Sequence, residues 1–199
     1  MKGLLAIISS PSGGGKTSII QGILKRYPEQ YVYSISATTR KPRPGEIDGT
    51  DYFFLSEKQF NKNIEHKLFL EWENVHGYLY GTPQAYIEKY INDGKYALLD
   101  LDVNGALRVA QDYPGRTITI FISPPSIEKL VERLQNRKTD SSAEINRRLE
   151  RIPMEMEKAK HFDYVVINDQ LEKTVEQVVR LIEDFDMDAN EKSGILNDE

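Results

Sequence analysis

The glycine-rich segment Ser10–Thr17 has the residue types needed to bind phosphate groups. It follows a short apolar run, contains three consecutive glycines, ends in Gly-Lys-Thr and precedes a helical pattern. Glycines let backbone N–H groups turn towards an anion, and the N-terminus of the next helix adds partial positive charge. Lys16 would contact the β- and γ-phosphates of a nucleotide, and the Thr17 hydroxyl would bind Mg²⁺. The predicted ATP-binding residues of this phosphate-binding loop (P-loop) are Ser12, Gly13, Gly14, Gly15, Lys16, Thr17 and Ser18.

The loop departs from the usual P-loop pattern at its first position. Glycine normally begins the motif, whereas Ser10 begins it here. Serine has less backbone freedom than glycine but can occupy the same turn. Because the Gly-Lys-Thr end and the strand–loop–helix context remain, we predict phosphate binding rather than a glycine-rich connection without a ligand.

A carboxylate follows a second apolar run. Asp100 comes directly after Tyr96–Leu99, which is typical of a buried strand. In open parallel sheets, ligands bind beyond the carboxyl ends of the strands. We therefore expect Asp100 near the phosphates, where it would help Thr17 to hold Mg²⁺ or would orient an arginine.

Basic residues are concentrated in two parts of an acidic chain. The net charge of −5 argues against general nucleic-acid binding, yet Arg40, Lys41 and Arg43 lie close together. A second basic group occupies residues 133–151. Local positive charge on an acidic protein indicates a small, highly charged ligand. An exposed helix face explains four of these residues equally well, namely Lys41, Lys138, Arg147 and Arg151.

The composition fits a single cytoplasmic domain. A chain of 199 residues can bury a substantial core, and no apolar run approaches the ~18 residues that a membrane span requires. Cysteine is absent, which excludes disulfides and thiolate metal sites and fits a reducing cytoplasm. We expect a cytoplasmic protein without a membrane partner, and the sequence leaves its oligomeric state open.

Short apolar runs alternate with helical patterns over most of the chain. Strands are predicted at Leu4–Ser9, Tyr96–Leu101, Thr117–Ile122 and Tyr164–Ile167. Helices are predicted at Lys16–Arg26, Gly105–Gln111, Ser126–Asn136, Ser142–Lys160, where Ser141 and Glu144 form a capping box, and Glu172–Phe185. This alternation predicts an α/β fold with a doubly wound parallel sheet of the P-loop NTPase type.

The stretch from about residue 38 to residue 92 interrupts the alternation. Short strand patterns at Asp51–Leu55, Phe69–Val75 and Tyr78–Tyr80 are separated by glycines, which predicts a small, mainly β insert. We expect Thr82 to cap the next helix with Pro83 as its first residue, and Trp72 to lie in the core. The predicted division is one domain over residues 1–187, with a core at 1–37 and 93–187, the insert at about 38–92, a helical lid at about 133–148 and a disordered tail at 188–199.

Several motifs resemble the guanylate kinase family in order and spacing. They are Ser36–Glu46, Gly49–Phe54, Glu71-Trp72, Tyr80–Pro83, Asp100–Gly105 and Arg133–Leu149. The similarity covers roughly residues 3–187. It implies that the γ-phosphoryl group of Mg·ATP passes to GMP, and that the insert binds GMP.

The resemblance also implies a role for each matching residue. The GMP phosphate would be held by Arg40, Arg43, Tyr52 and Tyr80, and guanine by Ser36, Glu71, Thr82 and Asp102. The ATP phosphates would meet Arg133, Arg137 and Arg148, and adenine would lie near Asn168 and Asp169. Lys16, Arg40, Arg137 and Arg148 would carry the catalysis, with Thr17 and Asp100 at Mg²⁺.

These implied roles agree with the chemistry of the side chains. Guanidinium groups and phenols suit a dianionic phosphate, and arginine keeps its charge near neutral pH. Carboxylates can accept from N1–H and the amine of guanine, whereas adenine lacks this donor face. Two alternatives to the kinase remain. One is a catalytically silent, phosphopeptide-binding module of the same fold, and the other is a P-loop kinase for AMP, UMP or a phosphorylated sugar.

Overall fold

The computed structural model describes residues 3–75, 77–135 and 142–195, with side chains left out at 142–144 and 190–195. The strands are β1 (Leu4–Ser9), β2 (Tyr31–Tyr33), β3 (Ala37–Thr38), β4 (Phe53–Phe54), β5 (Phe69–Val75), β6 (Tyr78–Pro83), β7 (Tyr96–Asp100), β8 (Thr117–Ser123) and β9 (Tyr164–Ile167). The helices are α1 (Lys16–Arg26), α2 (Glu57–Glu65), α3 (Gln84–Asn92), α4 (Val103–Asp112), α5 (Ile127–Gln135), α6 (Ser142–Lys158) and α7 (Leu171–Ile195), and a 3₁₀ turn spans Ala159–His161.

Five strands form a central parallel sheet in the order β2-β7-β1-β8-β9. Strand β1 lies in the middle, with Leu5 paired to Ala97 and to Thr117, and all six of its residues are buried. Because side chains alternate along a strand, one face packs on α1 and α7 and the other on α3 and α4. Helices on both faces of a parallel sheet confirm the predicted doubly wound α/β fold.

A second, smaller sheet is formed by the strands between Ala37 and Pro83, in the order β4-β3-β6-β5. Strands β5 and β6 form an antiparallel hairpin, and β3 joins β6 antiparallel and β4 parallel. Helix α2 begins with a complete capping box between Ser56 and Gln59. Neither α2 nor β2 is predicted from the sequence, and the strand predicted at Asp51–Leu55 is shorter.

Two predictions about the small sheet are wrong. Helix α3 begins at Gln84 with Pro83 as its N-cap, so Thr82 is a strand residue and not the cap. Trp72 is 41% exposed, because Glu71 points into the protein and the next residue of a strand faces the other way. A buried acid beside an exposed tryptophan is the reverse of the usual preference, and it marks a site where a carboxylate is needed inside.

The chain beyond residue 187 also differs from the expectation. Helix α7 continues to Ile195, where a disordered tail was expected from Asp188. Once a helix is nucleated, each further residue adds one hydrogen bond, so a polar segment can extend it. The predicted capping box at Ser141 and Glu144 lies outside the residues whose side chains are described. In the described ranges, no helix combines the length and apolar character needed to cross a membrane.

Candidate active site

One cleft of about 260 Å³ lies at the carboxyl ends of β1 and β7 and extends to the small sheet. Lys16 of the P-loop and Arg43 of the segment between β3 and β4 both line it. The structure therefore brings the two predicted phosphate-binding ends to a common opening. The other predicted residues in its lining are Ser12, Gly13, Gly15, Thr17, Ser18, Ser36, Tyr52, Glu71, Tyr80, Asp100, Asp102 and Arg148.

The P-loop connects β1 to α1 through a backbone that requires glycine. Gly13 and Gly15 have φ of +89° and +97°, and Gly15 is the N-cap of α1. The side-chain amide of Asn168, the residue after β9, donates to the Gly14 carbonyl at 2.9 Å and so holds the backbone of the loop. Ser10, at the place of the usual glycine, is buried, and its hydroxyl donates to the Pro11 carbonyl at 3.0 Å. Serine therefore fits the turn, as the sequence analysis expects.

Lys16 lies between the P-loop and the end of β7. Its ammonium nitrogen is 2.6 Å from Oδ1 of Asp100 and donates to the Leu101 carbonyl at 3.3 Å. Thr17, the next residue, is exposed. A cation, a carboxylate and a hydroxyl thus stand together at the predicted position of the nucleotide phosphates.

Arg40 is held by an acid that the sequence analysis does not single out. Its two terminal nitrogens donate to Glu46 at 2.8 and 2.9 Å, and its Nε donates to the Tyr80 hydroxyl at 3.2 Å. Glu46 also accepts from the backbone N–H of Arg43 at 2.6 Å. Burial alone would raise the pKa of Glu46, but the hydrogen bonds from Arg40 and Arg43 lower it. Glu46 therefore holds the guanidinium group of Arg40 and the backbone of Arg43.

Tyr52 completes this group. The guanidinium carbon of Arg40 lies 5.3 Å from the centre of the Tyr52 ring, and the Tyr52 and Tyr80 rings meet edge to face at 6.0 Å. Burial raises the pKa of Tyr52, so its hydroxyl stays protonated and can donate a hydrogen bond to an anion.

Two carboxylates face each other across Gly105. A Cβ at Gly105 would lie 2.8 Å from Oε2 of Glu71 and 3.3 Å from Oδ1 of Asp102. Glu71 is 7% exposed and accepts from the Thr82 hydroxyl at 2.7 Å. Burial, with a further contribution from Asp102, raises the pKa of Glu71 to about 7. Asp102 accepts from the Gly105 N–H at 2.9 Å and so caps α4. Ser36 is also buried beside the cleft.

The predicted lid arginines have different positions. Arg148 of α6 donates to the Ser12 hydroxyl at 3.1 Å, so it reaches the P-loop. Arg133 of α5 donates to the Asn168 carbonyl at 3.3 Å and does not line the cleft in the described part of the chain. Arg137 lies outside the described residues. Asn168 is buried under the P-loop, whereas Asp169 is exposed, so the predicted contact of these two with adenine stays a prediction.

Glu155 is a further cleft residue that the sequence analysis misses. It is 7% exposed and lies on α6 with Arg148 and Arg151. Burial raises its pKa to about 7, although Arg151 and Lys16 oppose this shift. The sequence contains a signal for it, because residue 155 is four positions after Arg151 and seven after Arg148. Residues at these spacings lie on the same face of a helix.

Comparison with known proteins assigns this arrangement to a family. Residues 2–185 match the protein-family model described as guanylate kinase. This chain belongs to the guanylate kinase family. The family indicated by the motifs is therefore confirmed over nearly the whole chain.

Individual guanylate kinases are similar over most of their length. The curated guanylate kinase of Thermotoga maritima is 48% identical over 182 residues, which cover 92% of this chain and 87% of that protein. That of Wolbachia sp. subsp. Brugia malayi is 42% identical over 194 residues, covering 98% and 97%. The crystal structure of guanylate kinase from Anaplasma phagocytophilum matches with a TM-score of 0.77 at 28% identity, covering 92% of this chain and 85% of that one. The sequence relatives and the structural match therefore point to the same family.

Proposed function

We propose that this protein is an ATP:GMP phosphotransferase, which transfers the γ-phosphoryl group of Mg·ATP to GMP and gives ADP and GDP. The observation that carries this proposal is the common cleft, in which Lys16 faces the same opening as Arg43. A phosphoryl transfer requires donor and acceptor phosphates to meet in line without a covalent enzyme intermediate. A cleft with one phosphate-binding end on each side meets that requirement.

The P-loop is the proposed binding site for the ATP phosphates. Positive charge would meet the phosphates at the start of α1. It comes from the helix N-terminus, from the backbone N–H groups around Gly13 and Gly15, and from the Lys16 ammonium group. Arg148 reaches Ser12 and would add a second cation as charge develops on the transferred group. Arg133 and Arg137 are proposed to join it when the lid closes, and Asn168 and Asp169 to lie near adenine.

The proposed GMP site is the opposite side of the cleft. Arg40, Arg43, Tyr52 and Tyr80 would hold the phosphate, and Glu46 keeps the Arg40 side chain and the Arg43 backbone in place before GMP arrives. Preorganised donors bind an anion without first losing side-chain entropy. Water must be excluded when both substrates are bound, since ATP would otherwise be hydrolysed.

Guanine selection is proposed to depend on Glu71 and Asp102. Both carboxylates can accept from N1–H and the exocyclic amine of guanine, while Ser36 supplies a hydroxyl at the base. The Thr82 hydroxyl donates to Glu71, so its proposed role is to orient that carboxylate. Adenine would leave the buried carboxylate of Glu71 without donors, which costs roughly 1–3 kcal/mol or more.

The oxygen ligands at the P-loop fit Mg²⁺. No cluster of three or more His, Cys, Asp or Glu occurs among the described residues, and Mg²⁺ bound with a nucleotide needs only one or two protein oxygens. The Thr17 hydroxyl and the Asp100 carboxylate are the residues proposed to hold it. When bound, Mg²⁺ neutralises charge on the β- and γ-phosphates. The cytoplasm is the proposed location, because a cysteine-free chain fits a reducing compartment.

An assay that couples ADP formation to NADH oxidation tests the function with Mg·ATP and each of GMP, AMP, CMP and UMP. We expect turnover with GMP and at least about 100-fold lower kcat/KM with AMP, because buried polar groups without partners discriminate strongly. No turnover with GMP, or equal turnover with AMP, would contradict the proposal. A silent phosphopeptide-binding module is not favoured, because Lys16, Thr17 and Arg148 all line the cleft.

A further inference from the structure

Three charged side chains on α6 reach both sides of the cleft. Arg148, Arg151 and Glu155 are spaced by three and four residues, so they share one helix face. Arg148 donates to the Ser12 hydroxyl at 3.1 Å, and Arg151 donates to Oδ2 of Asp102 at 3.2 Å. One helix therefore contacts the P-loop and the acid on the far side together.

Glu155 holds Arg151 in place. Nε of Arg151 lies 3.5 Å from Oε1 of Glu155, which makes an ion pair but no hydrogen bond. Because Glu155 is buried, its carboxylate has lost its hydration and depends on this ion pair. The Arg151 side chain thus lies between two acids, Glu155 and Asp102.

Asp102 has the capacity to accept from Arg151 and from a ligand. One oxygen accepts from the Gly105 N–H and the other from Arg151. An ionised carboxylate offers about four lone-pair sites, so about two remain for donors in the cleft. Among the described residues that line the cleft, Asp102 is present and Arg151 is not. Arg151 would thus act on a ligand through Asp102.

We propose that Arg151, held by Glu155, is a positioning residue that fixes the Asp102 carboxylate for the donor groups of guanine. This inference rests on the proposed function and adds to it a determinant of specificity outside the substrate contacts. A merely structural role for Arg151, in which it stabilises α6, would affect both substrates alike. A positioning role through Asp102 affects GMP alone.

The experiment compares Arg151→Met, Asp102→Asn and the double variant. Asparagine is as good an N-cap as aspartate, so Asp102→Asn preserves the start of α4. We expect Arg151→Met to weaken GMP binding by about 10-fold or more, because a hydrogen bond to a charged group is lost. The KM for ATP should change by less than about 3-fold, since that site keeps its contacts. Arg151→Lys should recover part of the loss.

The double variant decides whether Arg151 acts through Asp102. If it does, the double variant binds GMP no more weakly than Asp102→Asn alone, because the shared interaction is already removed. Arg147→Met and Glu150→Gln, at exposed positions of the same helix, are the matched controls. Thermal unfolding of each variant measures any loss of fold.

Calorimetric titration of GMP keeps this inference separate from the proposed function. If the wild-type protein binds GMP without phosphorylating it, the proposed function is contradicted. The role of Arg151 can still be tested in that case, because GMP binding by the variants can be measured without turnover. Equal weakening of ATP and GMP in Arg151→Met, or losses that multiply in the double variant, would overturn the inference. A wild-type protein that does not bind GMP would overturn it too.

Discussion

The ammonium nitrogen of Lys16 lies 2.6 Å from Oδ1 of Asp100. Lys16 is the first residue of α1 and Asp100 the last of β7, so this contact joins the P-loop to the neighbouring strand. Both side chains are partly exposed and line the cleft. Both groups are thus open to the cleft where the ATP phosphates are proposed to bind, and the ion pair with Asp100 holds the Lys16 ammonium group there.

Lys16→Ala is expected to lower kcat by about 100-fold or more, because a preorganised donor to the transferred group is removed. GMP binding should stay within about 3-fold of wild type, since the GMP phosphate is proposed to bind at Arg43 on the other side of the cleft. Steady-state kinetics and calorimetric titration of GMP measure the two quantities. Lys25→Ala, at an exposed position of the same helix, is the control. Loss of GMP binding in Lys16→Ala would contradict the division of the cleft into two ends.

Asn168→Asp tests whether the P-loop depends on the hydrogen bond that Asn168 donates to it. Aspartate would replace the amide that donates to the Gly14 carbonyl with an acceptor, leaving two buried oxygens against each other. We expect unfolding to become easier by roughly 1–3 kcal/mol, and the KM for ATP to rise more than the KM for GMP. Denaturant unfolding and kinetics with each substrate varied provide the measurements. Gln170→Glu, the same change from amide to carboxylate at an exposed position, should leave both quantities near wild type.

The sheet and the P-loop could be predicted because local patterns determine them. Strand β1 is a continuous apolar run, buried on both faces, and the glycines after it reveal the turn into α1. The candidate site could be predicted residue by residue only through the family motifs. Nothing local in the sequence shows that Glu71 is buried beside Asp102, because residues 31 positions apart meet only in the folded protein.

The errors of the sequence analysis occur where tertiary contacts override local preference. Thr82 looks like a helix cap, but its hydroxyl is used by Glu71 across the β5–β6 hairpin. Trp72 looks like a core residue, but the alternation of β5 places it outside because the acid must face inwards. Glu46 was missed because its partner Arg40 is six positions away, in a loop without periodicity. Functional sites are where such conflicts are expected.

Glu71→Gln is expected to stabilise the protein at high pH. Burial raises the pKa of Glu71 from 4.5 to about 7, so between these values the folded protein binds more protons than the unfolded chain. Stability therefore falls as pH rises through this range, and the penalty is complete above pH 7. Glutamine is neutral and escapes the penalty, so the variant should gain about 1–3 kcal/mol at pH 8 and almost nothing at pH 5. Urea unfolding at both pH values measures this, with exposed Glu65→Gln as control; an equal effect at the two pH values would contradict it.

GMP affinity should depend on the same proton. Guanine donors need the ionised carboxylate of Glu71, so the KM for GMP should rise as pH falls below about 7. The GMP phosphate titrates near pH 6 and adds its own dependence, which Glu71→Gln should retain while losing the component from Glu71. The KM for GMP is measured in both proteins over a range of roughly pH 5.5 to 8.5, which spans that pKa. The difference between the two profiles gives the contribution of Glu71 apart from that of the GMP phosphate. Identical pH profiles would show that Glu71 does not accept from guanine in its ionised form.

Gly105→Ala tests the packing of the two acids directly. The added methyl group would lie 2.8 Å from Oε2 of Glu71 and 3.3 Å from Oδ1 of Asp102, so at least one carboxylate must move. Alanine is favoured over glycine in a helix by about 1 kcal/mol, which offsets part of the strain and keeps the fold. We expect the KM for GMP to rise about 10-fold or more, with little change in the KM for ATP, because misplaced acceptors lose charged hydrogen bonds. Kinetics with each substrate varied and thermal unfolding measure the two effects. An unchanged KM for GMP would show that guanine is recognised without the close approach of Glu71 and Asp102.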